Sequence, residues 1–145
     1  MPQLNARQLA NAPLRAGVLL MAGQASEARA LCEQALAEAP VDWPGRVSAL
    51  QMLARVARRQ HDWSRALEAL NEVLSLVPDA AAEWYQRGLV KRSLAQWDAA
   101  LIDIEQAVVC ATDPAQRAHF AQGLTIIQQE ACAAQQARNK PQRIW

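Results

Sequence analysis

Apolar and polar positions along the chain repeat at a fixed interval of about 34 residues. Three matched pairs of packing residues show this interval: Trp63 and Trp97, Ala66 and Ala100, and Val73 and Ala107. A unit of this length cannot bury its apolar face alone and has to stack on its neighbours. The apolar periodicity predicts seven helices, at about 5–22, 26–38, 46–60, 63–77, 81–94, 97–111 and 114–138.

An earlier and weaker copy of the unit precedes these two. Its small, turn-forming and bulky positions are Ala16, Gly23, Ala28, Cys32, Ala35 and Pro40. The separation of Ala28 and Ala66 exceeds the interval of the later copies, so four additional residues lie between the first and second copies. The turn-forming Pro44-Gly45 pair in segment 41–46 predicts that the insertion lies there.

The final predicted helix differs from the others in its pattern. Asp113 and Pro114 favour a helix start, because Asp accepts from free amides and Pro fits the first turn. Four apolar residues then follow at spacings of four, three and four: Phe120, Leu124, Ile127 and Ala131. This stripe can cover the exposed end of the preceding unit, and residues 139–145 are predicted to form a loose tail.

The residues of these units resemble one known family. The segment Trp84-x-x-Arg87-Gly88, followed by Ala100, Ile104 and Ala107, is similar to the tetratricopeptide repeat (TPR). The resemblance implies an all-α, right-handed solenoid of three helix-turn-helix units and a C-terminal capping helix. It implies a single domain over 1–145, with repeats at about 9–42, 47–80 and 81–113, a capping helix at 114–138 and a tail at 139–145.

Two features depart from the family pattern. Arg87 and Lys91 replace the usual Leu and Tyr, so that Glu83, Arg87 and Lys91 form a charged series along a predicted packing face. Either the C-terminal helix docks away from this face, or the series is itself a contact surface. Trp43 in the insertion and Trp145 at the terminus have no predicted packing role, and exposed Trp residues are enriched in interfaces.

Composition narrows the functional classes. The 145 residues are 52% hydrophobic and 20% charged, with a net charge of +1, which argues against nucleic-acid and membrane partners. No segment approaches the roughly 20 apolar residues that span a bilayer. Three widely spaced cysteines, Cys32, Cys110 and Cys132, are expected to be buried or half-buried reduced thiols. These observations predict a cytoplasmic protein.

Catalytic and cofactor motifs are not found in the sequence. The two histidines are His61, in a predicted turn, and His119. There is no Gly-rich phosphate loop, no His-Glu-x-x-His metal motif and no nucleophile in a recognisable setting. We therefore expect no enzyme activity, no metal and no cofactor.

In the family that the chain resembles, the first helices of successive repeats line a concave groove for a partner's peptide or helix. Here that groove would contain Arg55, Arg58, Arg59 and, one repeat interval after Arg58, Arg92. The other groove residues would be Gln51, Met52, Tyr85, Gln86 and Leu89. Because guanidinium binds carboxylate in bidentate fashion, the groove predicts an adaptor or chaperone-like scaffold for an acidic segment of another protein.

Three alternatives remain open. The arginines can be ordinary solvated surface, and the chain can be a structural subunit or a self-associating module with an empty groove. The most remote alternative is a nucleic-acid-binding helical repeat. The second helices are expected to present an acidic outer surface, which would favour self-association, through Glu68, Glu72, Asp98, Asp103 and Glu105.

One mode of binding found in the family is not predicted. Its chaperone-binding members hold a terminal carboxylate with Lys and Asn side chains. The matching positions here are Pro13, Gly17, Met52, Ala82 and Gln86. We therefore do not expect recognition of a heat-shock protein's C-terminal tail.

Overall fold

The computed structural model describes residues 2–141, and every regular element in that range is a helix. The helices are α1 (Ala6–Met21), α2 (Ala25–Glu38), α3 (Arg46–Arg59), α4 (Trp63–Leu76), α5 (Ala81–Ser93), α6 (Trp97–Cys110) and α7 (Pro114–Asn139). Each predicted bound lies within one residue of the observed bound. The first six helices form three hairpins, and α7 follows the third.

The turn inside each hairpin has the same backbone conformation. Gly23, His61 and Ala95 all have positive φ, at 80°, 57° and 57°. In each turn the next residue donates its N–H to a carbonyl five positions earlier, as Asp62 does to Ala57 at 2.8 Å. This arrangement satisfies the free carbonyls at the helix end. The spacing of these three turns along the chain matches the repeat intervals in the sequence, including the longer first one.

The insertion lengthens the connection between the first two hairpins. Residues 39–45 join α2 to α3, whereas residues 77–80 join α4 to α5. Trp43 is only half-buried, but its ring lies over Gly45, where a Cβ would come within 2.4 Å of it. Trp43 therefore has the packing role that the sequence did not predict. Trp145 lies outside the described residues.

Each hairpin stacks on the next through its second helix. The packed pairs are α2 with α3, α4 with α5, and α6 with α7. Ala66 and Ala100, which the repeat interval identifies as packing residues, are fully buried. At Gly88 a Cβ would lie 2.5 Å from Ile104 Cγ1 and 3.1 Å from the Ala100 carbonyl oxygen, so α5 and α6 approach closely there.

Helix α7 covers the end of the third hairpin as predicted. The Asp113 carboxylate accepts from the backbone N–H groups of Ala115 and Gln116 at the start of the helix. Phe120 and Ile127 are buried, and Leu124 packs against the cluster of α6 that contains Ile104. The apolar stripe of α7 thus faces the stack.

The two cations of the charged series on α5 pair with a buried carboxylate of α6, inside the third hairpin. Asp103 is 1% exposed, which corrects its assignment to an acidic outer surface. Its carboxylate accepts from Arg87 Nε and Nη2, each at 2.8 Å, and lies 2.8 Å from Lys91 Nζ. Neither interpretation of the charged series included this buried partner on α6.

The three cysteines differ in environment. Cys32 is buried, Cys110 is half-buried and Cys132 is exposed, so the expected burial is wrong for Cys132. Burial raises the pKa of the Cys32 thiol to about 11, which keeps it protonated and unreactive at neutral pH. Separately, none of the helices within residues 2–141 is long and apolar enough to span a bilayer.

Candidate protein-binding surface

The first helices of the second and third hairpins, α3 and α5, lie side by side with α7 and are joined to one another by polar contacts. Gln51 on α3 donates to the Glu83 carboxylate on α5 at 2.7 Å, and Arg58 on α3 donates to the Gln86 side-chain oxygen on α5. Arg92 on α5 donates to Glu130 on α7. We call this shared surface of α3, α5 and α7 the first-helix face.

Two adjoining cavities open on the first-helix face, and Arg55 and Arg58 line both. The first has a volume of about 250 Å³ and is lined by Gln51, Ala54, Arg55, Arg58, Leu70, Ala82, Glu83 and Gln86. The second has a volume of about 330 Å³ and is lined by Arg55, Arg58, Arg59, Trp63, Leu89, Arg92 and Ser93. The lining of the second cavity thus contains four arginines and no acidic residue.

The arginine cluster, which we define as Arg55, Arg58 and Arg59, has no salt-bridge partner within the described chain, although the Glu83 carboxylate, which accepts from Gln51, also lines the first cavity. No carboxylate of residues 2–141 forms a salt bridge with any of the three. Partial burial, and then the neighbouring charge of Arg55, lower the pKa of Arg58. The Arg58 guanidinium is therefore held in a setting that disfavours its charge and would favour a nearby anion.

Arg92 belongs to the second cavity but not to this uncompensated cluster. Its Nε donates to Glu130 Oε2 at 2.8 Å, and its Nη2 donates to the other carboxylate oxygen. The hydrogen bond to Glu130 raises the pKa of Arg92. The expected neighbourhood of Arg58 and Arg92 is present in the cavity lining, but the charge of Arg92 is already matched by α7.

Two residues assigned to the groove from sequence line neither cavity. Tyr85 stacks on Phe120 of α7, with ring centroids 4.6 Å apart and planes inclined by 22°. Met52 lies against α1, where a Cβ on Gly17 would be 3.2 Å from its terminal methyl group. Both side chains pack between helices at a glycine, Met52 at Gly17 of α1 and Tyr85 at Gly123 of α7, where a Cβ would lie 2.7 Å from the Tyr85 hydroxyl oxygen.

Sequence reasoning also missed contributors to the site. Trp63 and Ser93 line the second cavity, and Glu83 lines the first. Arg59 ends α3 and Trp63 begins α4, so the turn at residues 60–62 brings Trp63 beside the cluster. Glu130, the partner of Arg92, is the one acidic residue in α7 and could have been singled out on that ground.

Comparison with known proteins identifies the fold family. Two family models, both described as tetratricopeptide repeat, match residues 53–125 and 8–79. The chain belongs to the tetratricopeptide-repeat family. TPR domains are generally non-catalytic modules for protein–protein interaction, and the TPR fold of this chain is accordingly that of an interaction scaffold.

Solved TPR structures superpose on this TPR protein over most of its length. The Sgt2 TPR domain from Aspergillus fumigatus has a TM-score of 0.76 and 17% identity, covering 100% of this chain and 94% of that chain. PcrH from Pseudomonas aeruginosa has a TM-score of 0.76 and 14% identity, covering 86% and 95%. The first TPR of Spaghetti (RPAP3), bound to the HSP90 peptide SRMEEVD, has a TM-score of 0.74 and 14% identity, covering 91% and 99%. These similarities establish an all-α TPR solenoid.

Proposed function

We propose that this TPR protein binds an acidic segment of another protein at the arginine cluster. The observation that carries the proposal is the set of three guanidinium groups in adjoining cavities without a salt-bridge partner among residues 2–141. Arginine does not lose its proton in proteins, so this charge persists at any physiological pH. The carboxylates of a bound acidic segment would neutralise it.

The residues that line the second cavity indicate which kind of acidic segment would bind there. Trp63 and Leu89 supply apolar wall beside the arginines. A segment with an Asp or Glu next to a large apolar residue would contact both the arginines and the apolar wall. Guanidinium binds carboxylate in bidentate fashion, and burial of the apolar residue adds affinity. Gln86 is already held by Arg58, which leaves the remaining donors of Arg58 for a ligand.

A structural relative supports the general chemistry but not the same mode of binding. The TPR of Spaghetti is bound to SRMEEVD, a peptide with two Glu and one Asp. The positions that hold a terminal carboxylate in chaperone-binding members are Pro13, Gly17, Met52, Ala82 and Gln86 in this chain. We therefore propose an internal acidic segment, rather than a heat-shock protein's terminal carboxylate, as the ligand.

We infer the role of an adaptor or chaperone-like scaffold in the cytoplasm. The cysteines Cys32, Cys110 and Cys132 are free thiols, which fits a reducing compartment. The net charge of +1 favours a local acidic contact over a nucleic acid or an anionic membrane.

The test is a charge reversal at the cluster. Fluorescent peptides carrying two or three Asp or Glu residues beside Leu or Phe would be titrated with the full chain and followed by anisotropy. We expect the double variant Arg55→Glu/Arg58→Glu to bind such peptides at least about tenfold more weakly, because each charge-assisted hydrogen bond contributes roughly 1.5–3 kcal/mol. Peptides with Asn and Gln in place of the acids should bind neither protein.

A matched control separates the site from general charge. The variant Arg138→Glu/Lys140→Glu makes the same change in net charge at two exposed positions of the C-terminal segment. It should bind the acidic peptides like the wild type. Equal binding by the cluster variant and the wild type would reject the proposal, and so would equal weakening by both double variants.

A further inference from the structure

Helix α1 carries an exposed apolar stripe. Leu14, Val18 and Met21 are 74%, 61% and 89% exposed, and their spacings of four and three place them on one side of the helix. Scattered exposed apolar residues are normal, whereas a contiguous row on one helix face marks an interaction surface. The stripe lies at the N-terminal end of the stack.

The repeat register identifies the residues of the later hairpins that are equivalent to this stripe. Val18 corresponds to Val56 in the second hairpin and to Val90 in the third, in the same register as the three hairpin turns. Both equivalents are fully buried, and Val90 belongs to the core cluster that otherwise comes from the first two hairpins. This position therefore stacks a hairpin on the one before it. At Val18 the same stacking position is exposed.

A second exposed apolar surface lies on the outer side of α6. Ile102 and Val109 are 64% and 74% exposed, and Asp98 and Glu105 lie on the same face at helical spacing. The equivalent face of α4 is entirely polar, with Ser64, Glu68, Asn71 and Ser75. The hairpin fold does not require apolar residues at these positions, because α4 forms the same element without them.

The two surfaces are complementary in charge. Helix α1 contains Arg7 and Arg15 and no acidic residue. Helix α6 contains no Lys or Arg, and its exposed charges are Asp98 and Glu105. Pairing two α1 stripes would bring like charges together, as would pairing two α6 faces, whereas α1 against α6 joins opposite charges across an apolar contact.

We propose that copies of this chain associate head to tail, with the α1 stripe of one copy packed on the outer α6 face of the next. Such a contact uses two different surfaces, so it generates a ring where the rotation closes and an extended chain of copies where it does not. The arginine cluster lies on neither surface. Self-association and peptide binding are therefore independent, and each can fail without the other.

Sedimentation velocity of the full chain tests this proposal. From low to high micromolar concentration, the wild-type sedimentation coefficient should rise. Val18→Glu on α1 and Ile102→Glu on α6 should each abolish the rise, because each places a charge in one half of the apolar contact. Val41→Glu, at an 87% exposed position in the connection between α2 and α3, is the matched control and should behave like the wild type.

Mixing the two variants gives the sharpest outcome. The Val18→Glu chain keeps an intact α6 face and the Ile102→Glu chain keeps an intact α1 stripe. An equimolar mixture should therefore form a complex of two chains and nothing larger, which also shows that both variants are folded. A monomeric wild type at all concentrations, continued self-association of the Ile102→Glu variant alone, or a mixture without complex would each overturn the proposal.

Discussion

The second and third hairpins fill the same three packing positions with opposite chemistry. Leu53, Ala57 and Ala69 are fully buried in the second hairpin. Their equivalents one repeat interval later are Arg87, Lys91 and Asp103. The apolar set packs without polar partners, whereas Asp103 meets both cations at 2.8 Å.

This difference shows that the hairpin fold does not require a particular residue type at these positions. It requires that the space between the helices is filled and that every buried polar group has a partner. An apolar trio meets this requirement by packing alone. A charged trio meets it only as a complete set, because a buried charge without its partner loses hydration without compensation. Arg87 also donates to Asn71 of α4 at 2.9 Å, so the charged set ties the third hairpin to the second. Within α5, the Arg87 guanidinium carbon lies 4.7 Å from the centre of the Trp84 ring.

The largest effect is expected from breaking the charged set at its centre. Asp103→Ala leaves Arg87 and Lys91 without their buried carboxylate and should destabilise the fold by about 3–5 kcal/mol. Urea unfolding followed by circular dichroism measures this change. A loss of less than about 1 kcal/mol, typical of exposed ion pairs, would contradict the importance of burial here.

The matched control converts the third hairpin into the chemistry of the second. The triple variant Arg87→Leu/Lys91→Ala/Asp103→Ala should be as stable as the wild type or more stable, because a packed apolar set replaces a complete ionic one. If the triple variant were as unstable as Asp103→Ala, the two hairpins would not be interchangeable at these positions.

A second comparison concerns the closest approach of the two helices in each hairpin. The second hairpin has Ala54 where the third has Gly88. Gly88→Ala places a Cβ 2.5 Å from Ile104 Cγ1 and should destabilise the fold by about 1–3 kcal/mol through overpacking. Thermal unfolding of the variant checks this, and the double variant Gly88→Ala/Ile104→Ala, which removes Cγ1, should lose less stability than the sum of the two single variants. A fully stable Gly88→Ala variant would show that Ile104 moves aside freely.

The smallest expected effect on stability concerns the N-terminal caps of α4 and α6, which differ. Asp62 caps α4 and accepts from the Arg65 N–H, whereas Gln96 makes no side-chain cap on α6. That backbone hydrogen bond, and then the one from Arg29, lower the pKa of Asp62 below its ordinary value of 3.8. The ionised Asp62 carboxylate therefore stabilises the folded state fully at pH values above 3.8, and this stabilisation is lost as the pH falls through the lowered pKa.

Asp62→Asn should accordingly be less stable than the wild type at neutral pH, with the difference disappearing in acid. Urea titrations at a series of pH values measure the difference. Gln96→Asn, which changes an uncapped start, serves as the control and should show no such pH dependence. A difference for Asp62→Asn that is constant with pH would rule out the ionised carboxylate as its source.

The fold could be predicted closely from local sequence. The fixed repeat interval and the turn residues predicted every helix bound within one residue, because each hairpin is determined by contacts between neighbours in sequence. The candidate site was harder to predict. Seven of its nine residues line the two cavities, namely Gln51, Arg55, Arg58, Arg59, Gln86, Leu89 and Arg92, while Tyr85 and Met52 pack between helices.

The stack of hairpins follows from the periodic packing residues and the short connections between them. Which charges lack a partner depends instead on contacts between helices that are distant in sequence. Arg58 and Arg92 occupy equivalent positions in their repeats. Arg92 forms a salt bridge with Glu130 of α7, whereas Arg58 forms none with any carboxylate of residues 2–141. The reason is physical: a helix position depends on neighbours in sequence, whereas the neutralisation of a charge depends on every chain segment that folds back against it.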